Sequence, residues 1–545
     1  MRDGIRLFTA IYSPKDTSKT YPILLTRTPY SIAPYGPDAF PHNTSRFARD
    51  GYIIVLQDVR GRFMSEGEFV DVRPIVSDSD PKTIDDSTDT YDTIDWLVKN
   101  VPHNNGKVGL KGTSYAGYYT NTGIINAHPA LVAASPQAPM ADLFQGDDAY
   151  HNGAFFLIAN FDFYTGFPKQ RNPQLPEKTK AFPYGTKDGY QFYLQNFNYQ
   201  LLKSPYWDDI VAHDTYDQYW QIRNILPHLK NIRPAILVVG GWHDAEDLSG
   251  TIKTFRAIQT QSPGTSDQLV MGPWTHGAWA HSDFFRDQIE FPFFERYLKD
   301  SPDPKLPKAY VFETGKDVWR KEQQWPPEGT MTRKLYLRAN RHLSFEPSSE
   351  DTGFDQYESD PQSPVPFFSK PTLEMAPEYM TADQRFVTNR PDVLSYQTEP
   401  LQEDLTIAGP ISPSLFVSTT GTDSDFVIKL IDAAPDGAEQ LVRGEPFRGK
   451  FRRSFERPEP FRPGEIEEIR FTMPDVYHSF GAGHRVMVQI QSSWFPLVDR
   501  NPQTFVDIPH AKPQDYAKAM ERIYHTQHFA SSLEVNVLPS RIMKK

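Results

Sequence analysis

Apolar and polar positions change rhythm twice along the chain. Between residues 20 and 140, short aliphatic runs alternate with segments of helical spacing, the pattern of a mainly parallel sheet covered on both faces. Pro22-Ile23-Leu24-Leu25-Thr26 and Tyr52-Ile53-Ile54-Val55-Leu56 read as strands, and Val108-Gly109-Leu110 as a third. From Asp85 to Asn100, acidic residues lead into Tyr91, Ile94, Leu97 and Val98 and close on Lys99, which predicts a capped amphipathic helix. Ile5, Leu7 and Thr9 alternate with Arg6 and Phe8 as if a strand were already under way, so further residues are expected upstream. The first residues contain no apolar h-region; an export signal among the upstream ones would make the protein periplasmic or secreted, which is the expectation, with a cytoplasmic protein as the alternative.

From about 149 to 230 aromatics crowd together (Phe155, Phe156, Phe161, Phe163, Tyr164) and Pro, Asn and Gln interrupt the rhythm, which predicts an inserted helical cap. The strand pattern resumes at Ala235–Val239, passes through a helix near Thr251 to Ile258, and returns at Leu269-Val270-Met271. Beyond about 330 the period becomes two. Leu335 and Leu337 flank Tyr336, Val486, Val488 and Ile490 alternate with Met487 and Gln489, and Leu533, Val535 and Val537 follow the same rule. The expected architecture is an α/β domain in two parts (1–148 and 231–310), a helical cap (149–230) and a C-terminal all-β jelly-roll sandwich (325–545).

Length agrees with several domains, since 545 residues exceed what one core sustains, roughly 250–300. A formal charge of −12 without a basic run argues against nucleic acid and favours a cationic or zwitterionic small molecule. The chain has no cysteine, which excludes disulfides, thiolate catalysis and Cys-ligated zinc. No apolar run approaches the roughly 18 residues that span a bilayer, so no membrane partner is expected.

Against that frame one motif carries chemistry. Gly112-Thr113-Ser114-Tyr115-Ala116-Gly117 follows a strand and precedes a helix-compatible segment, the context of an α/β-hydrolase nucleophile elbow. Position 116, where a second glycine is usual, is Ala, and Gly117 comes one residue later. A plain strand-to-helix turn capped by Ser114 is the alternative. In this fold an acid and then a histidine follow on loops after later strands. Asp244 stands just past the strand ending at Val239, and His276 just past the one ending at Met271. His243 competes by position, but as the acid's neighbour it could hardly turn back to bridge Asp244 and Ser114.

Nearly the whole chain resembles the group of cocaine-esterase-like enzymes and α-amino acid ester hydrolases, related to X-prolyl dipeptidyl peptidases. The resemblance lies in Arg27-Thr28-Pro29-Tyr30, Asp58-Val59-Arg60-Gly61 with Ser65 and Gly67, Gly112–Gly117, Gly272–His276, and Asp499-Arg500-Asn501-Pro502. It implies the triad Ser114, Asp244 and His276, and an oxyanion hole made by the Tyr115 N–H and the Tyr30 phenol. It further implies no cofactor and no metal, homo-oligomers, and acyl transfer to amines such as a β-lactam nucleus.

The α-amino acid ester hydrolase branch is similar at Asp244-Ala245-Glu246-Asp247 and at Gly146-Asp147-Asp148, where Asp148, Glu246 and Asp247 would hold a substrate's α-ammonium group. Three converging carboxylates repel one another unless a cation compensates them, so an ammonium gains where a neutral ester does not. Solvated loops, a helix N-terminus or a calcium site are the alternatives, although the spacing matches no EF-hand. Phe155, Phe156, Trp494 and Phe495 are candidates for an acyl-pocket wall. A general carboxylesterase, an X-prolyl dipeptidyl peptidase and a non-catalytic carbohydrate-binding protein remain as other readings.

Overall fold

The computed structural model describes residues 1–33, 45–76, 82–167 and 182–539. They divide into two compact units, one built from Met1–Leu143 and Tyr219–Val311, the other from Phe144–Phe167, Ala181–Gln218 and Phe312–Lys545.

In the first unit the elements run β1 (Thr9–Tyr12), β2 (Tyr21–Thr28), α1 (Ser45–Arg49), β3 (Ile53–Asp58), α2 (Asp86–Asn100), β4 (Asn104–Thr113), α3 (Tyr115–Ile124) and β5 (Leu131–Gln137). After the residues of the other unit come β6 (Ala235–Gly241), α4 (Leu248–Gln261), β7 (Asp267–Gly272), α5 (Phe291–Leu298) and β8 (Ala309–Glu313). Within this unit the strand order is β1-β3-β2-β4-β5-β6-β7-β8. Among these strands only β1 runs antiparallel to its neighbour; the other pairs are parallel. This is the α/β-hydrolase sheet that the alternating pattern predicts. Strands β2, β3 and β6 carry unbroken aliphatic runs because helices cover both faces. A Cβ on Gly109 of β4 would touch Leu298 and Phe294 of α5, whereas the next residue, Leu110, faces the other way against Gly123 of α3.

Helix α2 begins as its acidic lead suggests: Asp85 is the N-cap, and its carboxylate accepts from the Thr88 N–H while the Thr88 hydroxyl accepts from the Asp85 N–H. One expected strand is absent. Ile5–Phe8 is not β-structure, and β1 begins only at Thr9. Arg6 and Phe8 spend their backbone groups on the turn after β3: Arg6 N–H donates to Glu66 Oε2, Phe8 N–H to Ser65 Oγ, and the Arg6 carbonyl accepts from Glu66 N–H. Side-chain partners have replaced a ladder there.

The second unit contains the helices expected of a cap (Leu157–Gly166, Gly189–Gln195, Pro205–Ala212) and an all-β, almost wholly antiparallel sheet. Its 15-residue strand Leu405–Thr419 pairs with four others and is bulged between Gly409 and Ile411. The period-two segments fall in strands Met331–Arg338, Arg485–Gln491 and Ser532–Leu538. In Arg485–Gln491 the alternation does not sort core from solvent, because Met487 and Gln489 are as buried as Val486 and Val488. No helix among the described residues is long and apolar enough to cross a membrane.

Candidate active site

Strand β4 ends at Thr113, and Ser114 turns the chain into α3 with φ 64° and ψ −128°, a conformation costly for a residue with a Cβ. The surroundings impose it: Ser114 N–H donates to the Gln137 carbonyl at 3.0 Å, and the Ser114 carbonyl accepts from Tyr118 N–H at 2.9 Å. The flanking glycines are required by close backbone approach. A Cβ on Gly112 would lie 2.2 Å from the Ala116 carbonyl oxygen, and one on Gly117 would lie 2.4 Å from that of Gln137. Position 117, not 116, meets the neighbouring strand, which explains why the motif carries Ala at 116.

Tyr115 opens α3, so its N–H belongs to the first helical turn, whose amides have no acceptor within the helix. Its ring is buried and anchored: the hydroxyl donates to Asp71 Oδ1 at 2.6 Å, accepts from Val72 N–H at 2.7 Å, and the ring stacks on Tyr119. Burial, with Asp71 adding to it, pushes the phenol well above its ordinary value, so it stays a donor.

Tyr30 lies 6.3 Å from Tyr115, ring edge to ring face, and is 45% exposed. The residues around it hold the loop after β2 in place. Arg62 Nε donates to the Pro29 carbonyl, Asp58 accepts from Ile32 and Met64 N–H, and buried Arg27 bonds Gln57, Thr90 and the Asp86 carbonyl. The motifs around Arg27 and Asp58 thus act as scaffold for Tyr30.

Beyond β6, buried Asp244 presents both oxygens to His276 Nδ1, at 3.0 and 3.1 Å. Its Oδ1 also accepts from the N–H groups of Glu246 and Asp247. Burial alone would raise its pKa; the His276 charge and hydrogen bond, with the two amides, outweigh that and hold it below the ordinary aspartate value. His243 donates its backbone N–H to the Trp274 carbonyl, and the imidazole on Asp244 is that of His276.

Glu246 Oε2 stands 3.6 Å from His276 Nε2, the opposite side of the ring, with its side chain 39% exposed. Burial raises its pKa and Asp244 adds to the rise, against the pull of His276. Asp247 is fully buried as the N-cap of α4, its Oδ2 3.9 Å from His276 Nδ1. Glu246, Asp247 and His276 offer ligand atoms within 4.8 Å of one another, a spacing that would suit a cation. Asp148 is half-buried in the second unit, where its carbonyl accepts from Asn160 Nδ2. Phe155, Phe156, Trp494 and Phe495 are in the core of that unit, where Phe155 packs on Trp207 and Phe156 stacks on His151.

Such an elbow, with an imidazole oriented by a buried carboxylate, is the equipment of a serine hydrolase. The X-Pro dipeptidyl-peptidase (S15) family matches residues 3–278, and the C-terminal non-catalytic domain of X-Pro dipeptidyl-peptidases matches residues 303–534. The chain belongs to this family. A cocaine esterase of Rhodococcus sp. is 30% identical over 99% of the chain and 97% of the esterase. Two solved structures share 37% of their sequence with it. An aminopeptidase from a marine sediment Thaumarchaeota archaeon has a TM-score of 0.92 (99% of this chain, 95% of that one), and an α-amino acid ester hydrolase has 0.91 (98% and 95%).

Sequence reasoning missed Gln137. It ends β5 with its carbonyl on Ser114 and its side chain among Thr113, Trp279 and Glu290. A polar residue closing an apolar strand is the one signal that pointed to it.

Proposed function

We propose that Ser114 is the nucleophile and that the chain cleaves esters of α-amino acids, and amides such as β-lactam side chains, through an acyl-enzyme. His276, oriented by Asp244, takes the Ser114 proton as Oγ bonds to the substrate carbonyl carbon. The Tyr115 N–H and the Tyr30 hydroxyl donate to the resulting oxyanion. His276 then passes its proton to the departing alcohol or amine. Water attacks the acyl-enzyme and restores Ser114, or an amine such as a β-lactam nucleus intercepts it. Glu246, with Asp247, receives the α-ammonium group.

The observation that carries this reading is the pair of carboxylates on one imidazole: Asp244 on Nδ1 and a half-exposed Glu246 beside Nε2. A carboxylate so close to the reacting nitrogen attracts a cationic group next to the scissile carbonyl and offers a neutral ester nothing. Rates on phenylglycine methyl ester and its deaminated analogue test it. The amino ester is expected to react at least about tenfold faster in kcat/KM, and Glu246→Gln to remove most of that preference, in line with about 1.4 kcal/mol for a half-exposed charge pair. Equal losses on both esters would show that Glu246 is structural.

A second reading, a general carboxylesterase, is favoured by the cocaine esterase relative, and predicts that the deaminated ester reacts as well as the free amine. The S15 family adds an X-prolyl dipeptidyl peptidase, which a Pro-linked chromogenic dipeptide distinguishes.

A further inference from the structure

Buried Gln137 holds the serine turn by its backbone and both that turn and the histidine loop by its side chain. Its carbonyl takes the Ser114 N–H at 3.0 Å. Its Oε1 accepts from Thr113 Oγ1 at 3.2 Å, on the residue before the serine, and from Trp279 Nε1 at 2.8 Å. Trp279 lies three residues beyond His276, in the 3₁₀ turn Ala278–His281, with its ring centroid 6.5 Å from the imidazole. The two loops adjoin directly as well, since a Cβ on Gly277 would lie 3.9 Å from Thr113 Cγ2.

The amide is itself fixed. Nε2 donates to Glu290 Oε1 at 2.7 Å and to Ser135 Oγ at 3.2 Å, and Lys111 Nζ meets the same Glu290 oxygen at 2.8 Å. Glu290 and Gln137 are both more than nine-tenths buried. With Nε2 committed to a carboxylate, the amide cannot flip, and Oε1 has to face Thr113 and Trp279. The result is a chain Lys111–Glu290–Gln137 that ends in one oxygen shared by the two loops. Buried, charge-anchored networks of this kind are stiff.

We infer that Gln137 is a positioning residue: it sets the distance between Ser114 and His276 by tying the elbow to Trp279. It touches no substrate and acts through its neighbours. The inference rests on the assignment of Ser114 and His276 proposed above. Proton transfer from serine to imidazole is sensitive to sub-ångström placement, so loosening this tie slows acylation and leaves substrate binding nearly intact.

Three variants test it. Gln137→Met keeps the length and removes every side-chain bond; Trp279→Phe keeps an aromatic ring and removes only the N–H. Kinetics of ester hydrolysis and the rate of labelling by a fluorophosphonate are measured on both, on their double variant and on the wild type. Gln137→Met is expected to lower kcat and the labelling rate about 10- to 100-fold, and Trp279→Phe about 5- to 10-fold, with KM within about twofold. The double variant is expected to be no slower than Gln137→Met alone, because the two changes cut one tie. Multiplying losses, unchanged kcat, or a rise in KM that matches the fall in kcat would overturn the inference. Should Gln137→Met fail to fold, Trp279→Phe alone decides it: an unchanged labelling rate overturns the proposal. Ser114→Ala, assayed alongside, separates the two claims, since activity surviving in that variant refutes the nucleophile assignment whatever Gln137 does.

Discussion

Asp244 Oδ1 receives hydrogen bonds from His276 Nδ1 and from the backbone of both Glu246 and Asp247, so the acid is held by its own loop before it orients the imidazole. Three donors on a buried carboxylate keep it charged and fix the tautomer in which His276 Nε2 is the basic nitrogen. Asp244→Asn leaves the loop bonds to Oδ1 possible but presents an amide to Nδ1. It is expected to reduce kcat by about 10³- to 10⁴-fold with little change in KM, read from steady-state kinetics on an amino acid ester. Asp244 and His276 were legible in the sequence because each follows a strand end. Tyr30 was not, because an exposed tyrosine beyond a strand has no pattern of its own; only resemblance singled it out.

The elbow between β4 and α3 shows what a motif encodes at the level of an element. Gly112 and Gly117 are set by carbonyl oxygens 2.2 and 2.4 Å from where a Cβ would stand. Gly117→Ala therefore has to push α3 away from β5. It is expected to destabilise the first unit by about 1–3 kcal/mol and to lower activity more than stability, seen as a lower melting temperature together with slowed fluorophosphonate labelling. The parallel strands and α2 were legible from their apolar runs and the Asp85 cap. The Ile5–Phe8 segment was misread because alternation alone cannot tell a ladder from a chain whose amides bond Ser65 and Glu66. The Asp499–Pro502 motif was legible as a signature and opaque in role. In the structure Asp499 and Asp425 flank buried Arg448, and Asn501 bonds Asp423 and Asp425. Such a network has no sequence period, since its members lie on different strands and loops.

At the scale of the whole molecule, stability in the second unit is linked to pH through buried acids. Glu521 is fully buried, its Oε1 accepts from Thr419 Oγ1 at 2.8 Å, and its Oε2 has no hydrogen-bond partner among the described residues. Burial pushes its carboxyl up from 4.5 to about 8. A folded-state value above the unfolded one contributes stability that is complete below 4.5 and is lost as pH rises through about 8. Glu521→Gln removes that loss. Its melting temperature is expected to gain on the wild type by roughly a few degrees between pH 5 and pH 9, and a difference that stays constant would refute the linkage.

Reacting the protein with a fluorophosphonate and mapping the adduct by peptide mass spectrometry shows whether Ser114 is the residue acylated. One adduct per chain is expected, on the peptide bearing Ser114, abolished together with ester hydrolysis in Ser114→Ala. An adduct on another residue, or hydrolysis that persists in Ser114→Ala, would contradict it.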